Sequence, residues 1–197
     1  MRKCNDKNTA LKIVIEAAKN YEKHLKDKHF LIIYQQGKNK QSVCIGFRDI
    51  NFLHLTGIKT KLSAKRFYSA CIAGKLSEKD IDFSENGTTY QKLAVLPYLH
   101  EVLYHHCMLG YFVNSGIYIR ADYFIGDTKA VLSIGIREGK TTDIPVTLYK
   151  ENVKMLVSPV YKVLAIFSKE YNEDQFMSCT YLSKEQKAEE LLNQISK

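Results

Sequence analysis

Residues 51–58, Asn-Phe-Leu-His-Leu-Thr-Gly-Ile, place an imidazole (His54), a hydroxyl (Thr56) and a glycine within one short apolar stretch. Lys59, Lys61, Lys65 and Arg66 follow at once. An imidazole with an ordinary pKa near about 6.5 exchanges protons at neutral pH, and ammonium groups beside it can hold an anionic substrate. Such a set suits phosphate chemistry. If RNA is the substrate, its 2′-hydroxyl can attack the adjacent phosphorus, a step that needs a base, an acid and donors for the pentacoordinate oxygens. In that scheme His54 is the base or acid, Thr56 a donor, and Lys59 or Lys61 the charge stabiliser. No metal or cofactor is required. The apolar spacing predicts that a buried strand end presents these groups. A histidine between two leucines is also ordinary packing, and it is the cationic run that makes His54 a candidate.

That run is one-sided. Between Ile58 and Lys75 there are five cations (Lys59, Lys61, Lys65, Arg66, Lys75) and no carboxylate. The whole chain carries a formal charge of +8, which favours anionic partners, with nucleic acid ahead of membrane surface. Lys65 and Arg66 are expected to touch substrate. Farther along, Arg120, Arg137, Lys140, Thr147, Tyr149 and Lys150 are candidate contacts from a sheet, with Thr147 and Tyr149 expected on one strand face and Val146 and Leu148 on the other. Thr and Tyr are ordinary strand formers as well.

Other chemistries find less support. His100, His105, His106 and Cys107 crowd one helix end, yet the residue four beyond His100 is Tyr104, so no helical pair of metal-ligating histidines forms. No HExxH, paired CxxC, GxGxxG or phosphate-binding P-loop occurs. The five cysteines are odd in number and scattered, as expected for reduced thiols in a cytoplasmic setting. No apolar run resembles a signal peptide or reaches the roughly 18 residues of a membrane span.

These groups need a scaffold, and the 197 residues, 45% hydrophobic and 25% charged, suit one domain, residues 1–197. A helix capped by Asn8 or Thr9 is expected from about Ala10 to Asp27. His29 to Gln35 and Ser42 to Phe47, split by Gly37-Lys38-Asn39-Lys40, read as a β-hairpin. Ala64 to Ala73 fits a short helix, Ser77 to Asp80 a helical turn with a capping box, and Thr88 or Thr89 to Cys107 a longer helix that Pro97 kinks or restarts. Strands follow at 108–113, 116–124, 130–136, 144–149, 160–167 and 176–181, with Gly126-Asp127 among the turns, and a polar amphipathic helix closes the chain from Ser183 or Lys184. Helices first and consecutive strands later predict an α+β fold with an antiparallel sheet.

The phrase Asn-Phe-Leu-His-Leu-Thr-Gly-Ile-Lys, residues 51–59, resembles the fourth phage-associated group of the barnase–EndoU–colicin–RelE-like nucleases. Phe67-Tyr68, the Gly-Lys-Leu-Ser segment at 74–77 and Ile-Pro-Val-Thr-Leu at 144–148 add to the resemblance, which spans residues 28–182 and leaves both terminal helices as additions. It implies an α+β domain and metal-independent RNA cleavage by a toxin or effector of phages or mobile elements, with His54 and Thr56 in the cleft and Lys59 or Lys61 nearby. Partners implied are RNA and an immunity or host protein. The competing expectation is a binding module without catalysis, a phage or mobile-element factor acting on a host complex.

Overall fold

The computed structural model describes residues 6–112, 121–127 and 131–195. The first helix, α1 (Lys7–His24), begins earlier than its apolar pattern suggests, because Asp6 is the cap: its carboxylate accepts from the backbone N–H of Asn8 and Thr9. Ala10, Val14, Ala18 and Tyr21 are buried along one face, while Leu11 is only partly so. The predicted hairpin follows as β1 (Lys28–Gln36) and β2 (Asn39–Phe47), paired in register from Lys28–Phe47 to Gln36–Asn39.

The stretch around His54 is not a strand end. Asp49–Thr56 forms a helix, α2. Asn51 fixes its start, its side-chain oxygen accepting from the Arg48 N–H at 2.8 Å while its own N–H reaches the Arg48 carbonyl. Gly57 ends it at φ 68°, a left-handed position that glycine takes without cost. The helical period sends Phe52, Leu55 and Thr56 inward and leaves Ile50 and His54 exposed, where strand alternation would have put Phe52, His54 and Thr56 together. Phe52 then packs edge-on to Tyr21 at 5.1 Å and to Tyr68 of α3 (Ala64–Ile72) at 5.4 Å, joining three helices in one aromatic cluster.

A short 3₁₀ turn at Glu78–Asp80 carries the expected Ser77–Asp80 box. The long helix expected up to Cys107 is instead two pieces, α4 (Thr88–Val95) and a 3₁₀ helix, Leu96–Leu103, with Pro97 in its first turn. Next come β3 (Met108–Tyr111), β4 (Tyr123–Asp127), β5 (Leu132–Arg137) and β6 (Ile144–Tyr149). Gly126-Asp127 therefore belongs to a strand rather than a turn, and the expected strand 116–124 lies mostly outside the described residues. A one-turn helix, α5 (Val153–Leu156), was not anticipated; β7 (Tyr161–Glu170), β8 (Ser178–Leu182) and α6 (Ala188–Ile195) complete the chain.

The strands form one antiparallel sheet in the order β2-β1-β7-β3-β4-β5-β6, with β8 paired to β7. The α+β reading holds, and the sheet curls until its two ends meet. Ile45 of β2 bridges to Asp143, the residue before β6: the Gly46 N–H donates to the Asp143 carbonyl at 2.9 Å and the Asp143 N–H to that of Cys44 at 2.8 Å. One face carries the main core under α1–α4, including Phe30, Ile45, Tyr123, Ile134 and Leu148. The other carries two smaller clusters, one where Leu191 of α6 meets Ile33 and Phe167, one where α5 meets Phe124. Among the described residues, no helix is long and apolar enough to cross a membrane.

Candidate active site

The seam of the curled sheet assembles a cluster that no local pattern announces. His29, second residue of β1, sits opposite Gly46 on β2 and opposite Lys169 on β7. Arg48 follows β2 as the cap residue of α2, and its backbone is tied down, the carbonyl accepting from the buried Tyr21 hydroxyl at 2.9 Å. Tyr171 follows β7 in a turn held by its N–H to the Asp27 carbonyl at 2.8 Å. The Arg48 guanidinium lies 4.4 Å from the Tyr171 ring centre and donates to its hydroxyl, while the His29 ring sits 4.9 Å from the same ring. Three side chains from three elements thus share one spot.

Together with Gly46, Thr141, Thr142 and Ile144 they line an open pocket of about 270 Å³. Burial, then the neighbouring charges of Lys169 and Arg48, hold the His29 imidazole below its ordinary pKa, so at neutral pH the ring is uncharged and able to accept a proton. Arg48 supplies a planar cation suited to phosphate oxygens. Because the Tyr171 oxygen accepts from Arg48, its own proton points elsewhere and can be donated. A second, larger pocket of about 480 Å³ shares Arg48 and Tyr171 and is lined beyond them by Lys26, Asp27, Asp49 and Glu170.

The residues expected from sequence fall elsewhere. His54 is exposed on the last turn of α2, with no seal of core around it. Thr56 is wholly buried at 0% exposure; its hydroxyl donates to the Leu53 carbonyl at 2.8 Å and accepts from the Ile58 N–H at 3.0 Å, which makes it a helix-end brace. Lys59, Lys61, Lys65 and Arg66 are exposed, and the Lys59 backbone pairs with Asp82, whose carboxylate takes Lys7 at 2.8 Å. His54 and these cations are thus each exposed and near one another in the chain, while Thr56 is buried.

Thr147 and Tyr149 lie on the far face. The Thr147 methyl and the Phe124 ring both lie over Gly135, and Tyr149 packs against Phe124 at 5.7 Å, whereas Leu148 joins the core under α2. A register shift between Gly135 and Ile136 breaks the alternation expected of β6, so Val146 joins Tyr149's cluster rather than Leu148's. Arg120 lies outside the described residues. Of the crowded histidines, His100 stacks on His24 at 4.8 Å and His105 and His106 are exposed. Among the described residues, no group of three or more His, Cys, Asp or Glu side chains is placed to hold a metal ion.

One residue that sequence reasoning passed over matters near His54. Lys92 of α4 is 8% exposed and donates from Nζ to the His54 carbonyl at 2.8 Å. Burial pushes its ammonium pKa down to about 8. Its place in the 88–107 segment carries no motif or spacing that would single it out.

The curled antiparallel sheet with helices on one face is consistent with an α+β nuclease fold, and an imidazole–guanidinium–phenol cluster lies at its seam. The chain belongs to the family described as phage-Barnase-EndoU-ColicinE5/D-RelE like nuclease4, whose model matches residues 13–185. It is thus a nuclease of the barnase/EndoU/RelE type. No curated protein and no solved structure gives a match.

Proposed function

We propose that this protein cuts RNA by attack of the 2′-hydroxyl on the neighbouring phosphorus. The observation that carries the reading is the His29 imidazole, kept neutral, in one pocket with the Arg48 guanidinium and the Tyr171 hydroxyl. His29 takes the 2′-hydroxyl proton as the bond from that oxygen to phosphorus forms. The bond from phosphorus to the 5′-oxygen breaks, and that oxygen takes a proton from Tyr171 or from water. Arg48 neutralises charge on the non-bridging oxygens. The products end in a 2′,3′-cyclic phosphate and a 5′-hydroxyl, and no metal takes part in this route. The exposed run Lys59, Lys61, Lys65 and Arg66 contacts the sugar–phosphate backbone away from the chemistry.

A second reading keeps the acid–base role at His54 with Lys59 or Lys61 as charge stabiliser; its support is the exposure of that imidazole beside an acid-free cationic run. Incubation with total RNA in EDTA separates the two. Cleavage by wild type and by His54→Ala, its loss in His29→Ala and Arg48→Ala, and a site blocked by one 2′-deoxy sugar are the expected results. Cleavage unchanged in His29→Ala but lost in His54→Ala moves the chemistry to α2. RNA or host-factor binding without any turnover supports the non-catalytic module instead.

A further inference from the structure

Between β5 and β6 the chain turns through residues 138–143, and Asp143 holds that turn from three directions. The buried Tyr123 hydroxyl donates to its Oδ2 at 2.6 Å, the Gly139 N–H donates to its Oδ1 at 3.0 Å, and its backbone pairs with Cys44 and Gly46 across the seam. Tyr123 itself is fully buried, so the outer carboxylate is steered by a core residue. The residue just before Asp143 is Thr142, which lines the His29 pocket.

Thr142 rests on a deliberate gap. A Cβ built on Gly46 would lie 2.9 Å from the Thr142 methyl and 3.0 and 3.2 Å from Cδ2 and Nε2 of His29. The missing side chain of Gly46 therefore lets Thr142 and the His29 ring edge converge over the same spot. With its methyl packed there, the other arm of the threonine is a hydroxyl, and that hydroxyl has no hydrogen-bond partner among the described residues.

We infer that Thr142 is a phosphate-binding residue of this pocket, and that Asp143 is the positioning residue that presents it through its links to Tyr123 and Gly139. The inference rests on the placement of the nuclease site at His29, and it assigns the phosphodiester oxygen a neutral donor opposite the Arg48 cation. Proton inventory is simple: the threonine donates a hydrogen bond and keeps its proton.

The test titrates the full-length protein, with its histidine rings isotope-labelled, with inorganic phosphate and follows the His29 signals, while RNA cleavage is assayed in parallel. Thr142→Val keeps the methyl and the shape, and weakens phosphate binding about 10-fold, the worth of one hydrogen bond to a charged group. Thr142→Ser, which keeps the hydroxyl, retains wild-type affinity. Asp143→Asn, which loses the charge and one of the two acceptor oxygens, weakens phosphate binding as well, and the Thr142→Val/Asp143→Asn pair loses no more than Thr142→Val alone. Equal affinity in wild type and Thr142→Val overturns the inference whether or not RNA is cut. Fully additive losses in the pair overturn the positioning role. If wild type leaves RNA intact while the Thr142→Val effect on phosphate persists, the nuclease chemistry falls and the phosphate site stands.

Discussion

The Lys92 ammonium meets the carbonyl of His54 at the end of α2, 2.8 Å away, inside a shell that leaves only 8% of the lysine exposed. Gly57 makes room for it, since a Cβ there would come within 2.8 Å of the Lys92 Cδ. The bond satisfies an orphan carbonyl of the helix terminus, but the desolvated charge opposes it. The shift to about 8 says that desolvation wins, because a bond to the charged form alone would have raised the value. The unfolded chain keeps a lysine near its ordinary 10.5, so between about 8 and 10.5 it binds more protons than the folded protein. Stability contributed by this group therefore rises with pH across that window. Lys92→Met is expected to raise unfolding free energy at pH 7 by about 1 kcal/mol and to abolish the alkaline rise, as read by urea melts at pH 7 to 10. A flat alkaline profile in wild type contradicts the account.

Acid acts through a different set. Burial, followed by neighbouring cations, depresses His29; burial and then His100, Lys23 and Lys28 depress His24; burial also depresses His100. Each folded-state pKa lies below the unfolded value of 6.5, so on acidification the unfolded chain takes up protons first. Stability is fully present above that value and falls as pH drops below it. Denaturant midpoints measured from pH 7 to 5 should fall, and the double variant His24→Gln, His100→Gln should show a shallower fall.

Gly46 allows the convergence of His29 and Thr142, and a methyl there has no free space. Its backbone is ordinary for a strand, so the effect of substitution is steric alone. Gly46→Ala is expected to cost about 1–2 kcal/mol of stability and to lower kcat/KM on RNA by at least ~10-fold, more than the stability loss explains. An alanine variant of wild-type activity would show that the ring and the threonine have slack between them.

Arg48 allows the proposed chemistry to be tested apart from the fold. Its backbone groups serve Tyr21 and Asn51, and its side chain alone reaches Tyr171. Arg48→Lys keeps the backbone bonds and the charge while removing the planar fork. Expected is a melting temperature within about 3 °C of wild type together with a ~10- to 100-fold lower kcat/KM. A lysine variant with full activity would mean that a point charge suffices.

How far the residues alone reach shows in particular elements. The hairpin at β1 and β2, the box at Ser77–Asp80 and the restart at Pro97 were legible because each follows from local sterics and hydrogen bonding within a few residues. The helix at α2 was not: Phe52, Leu55 and Thr56 point inward only because Tyr21, Phe67 and Tyr68 from other elements wait there, and an eight-residue apolar run fits either period until that neighbour is known. Charge, family likeness and an α+β scaffold were thus properties of the chain itself, carried by composition, motif and order. The meeting of His29, Arg48 and Tyr171 was decided by strand order, since β1 lies between β2 and β7 and so brings Arg48 to Tyr171, 123 positions farther along the chain, while curling joined β2 to the approach of β6 and added Thr142. Hydrogen bonding between distant strand edges leaves no periodic trace in a sequence, so only the folded molecule shows where the pocket lies.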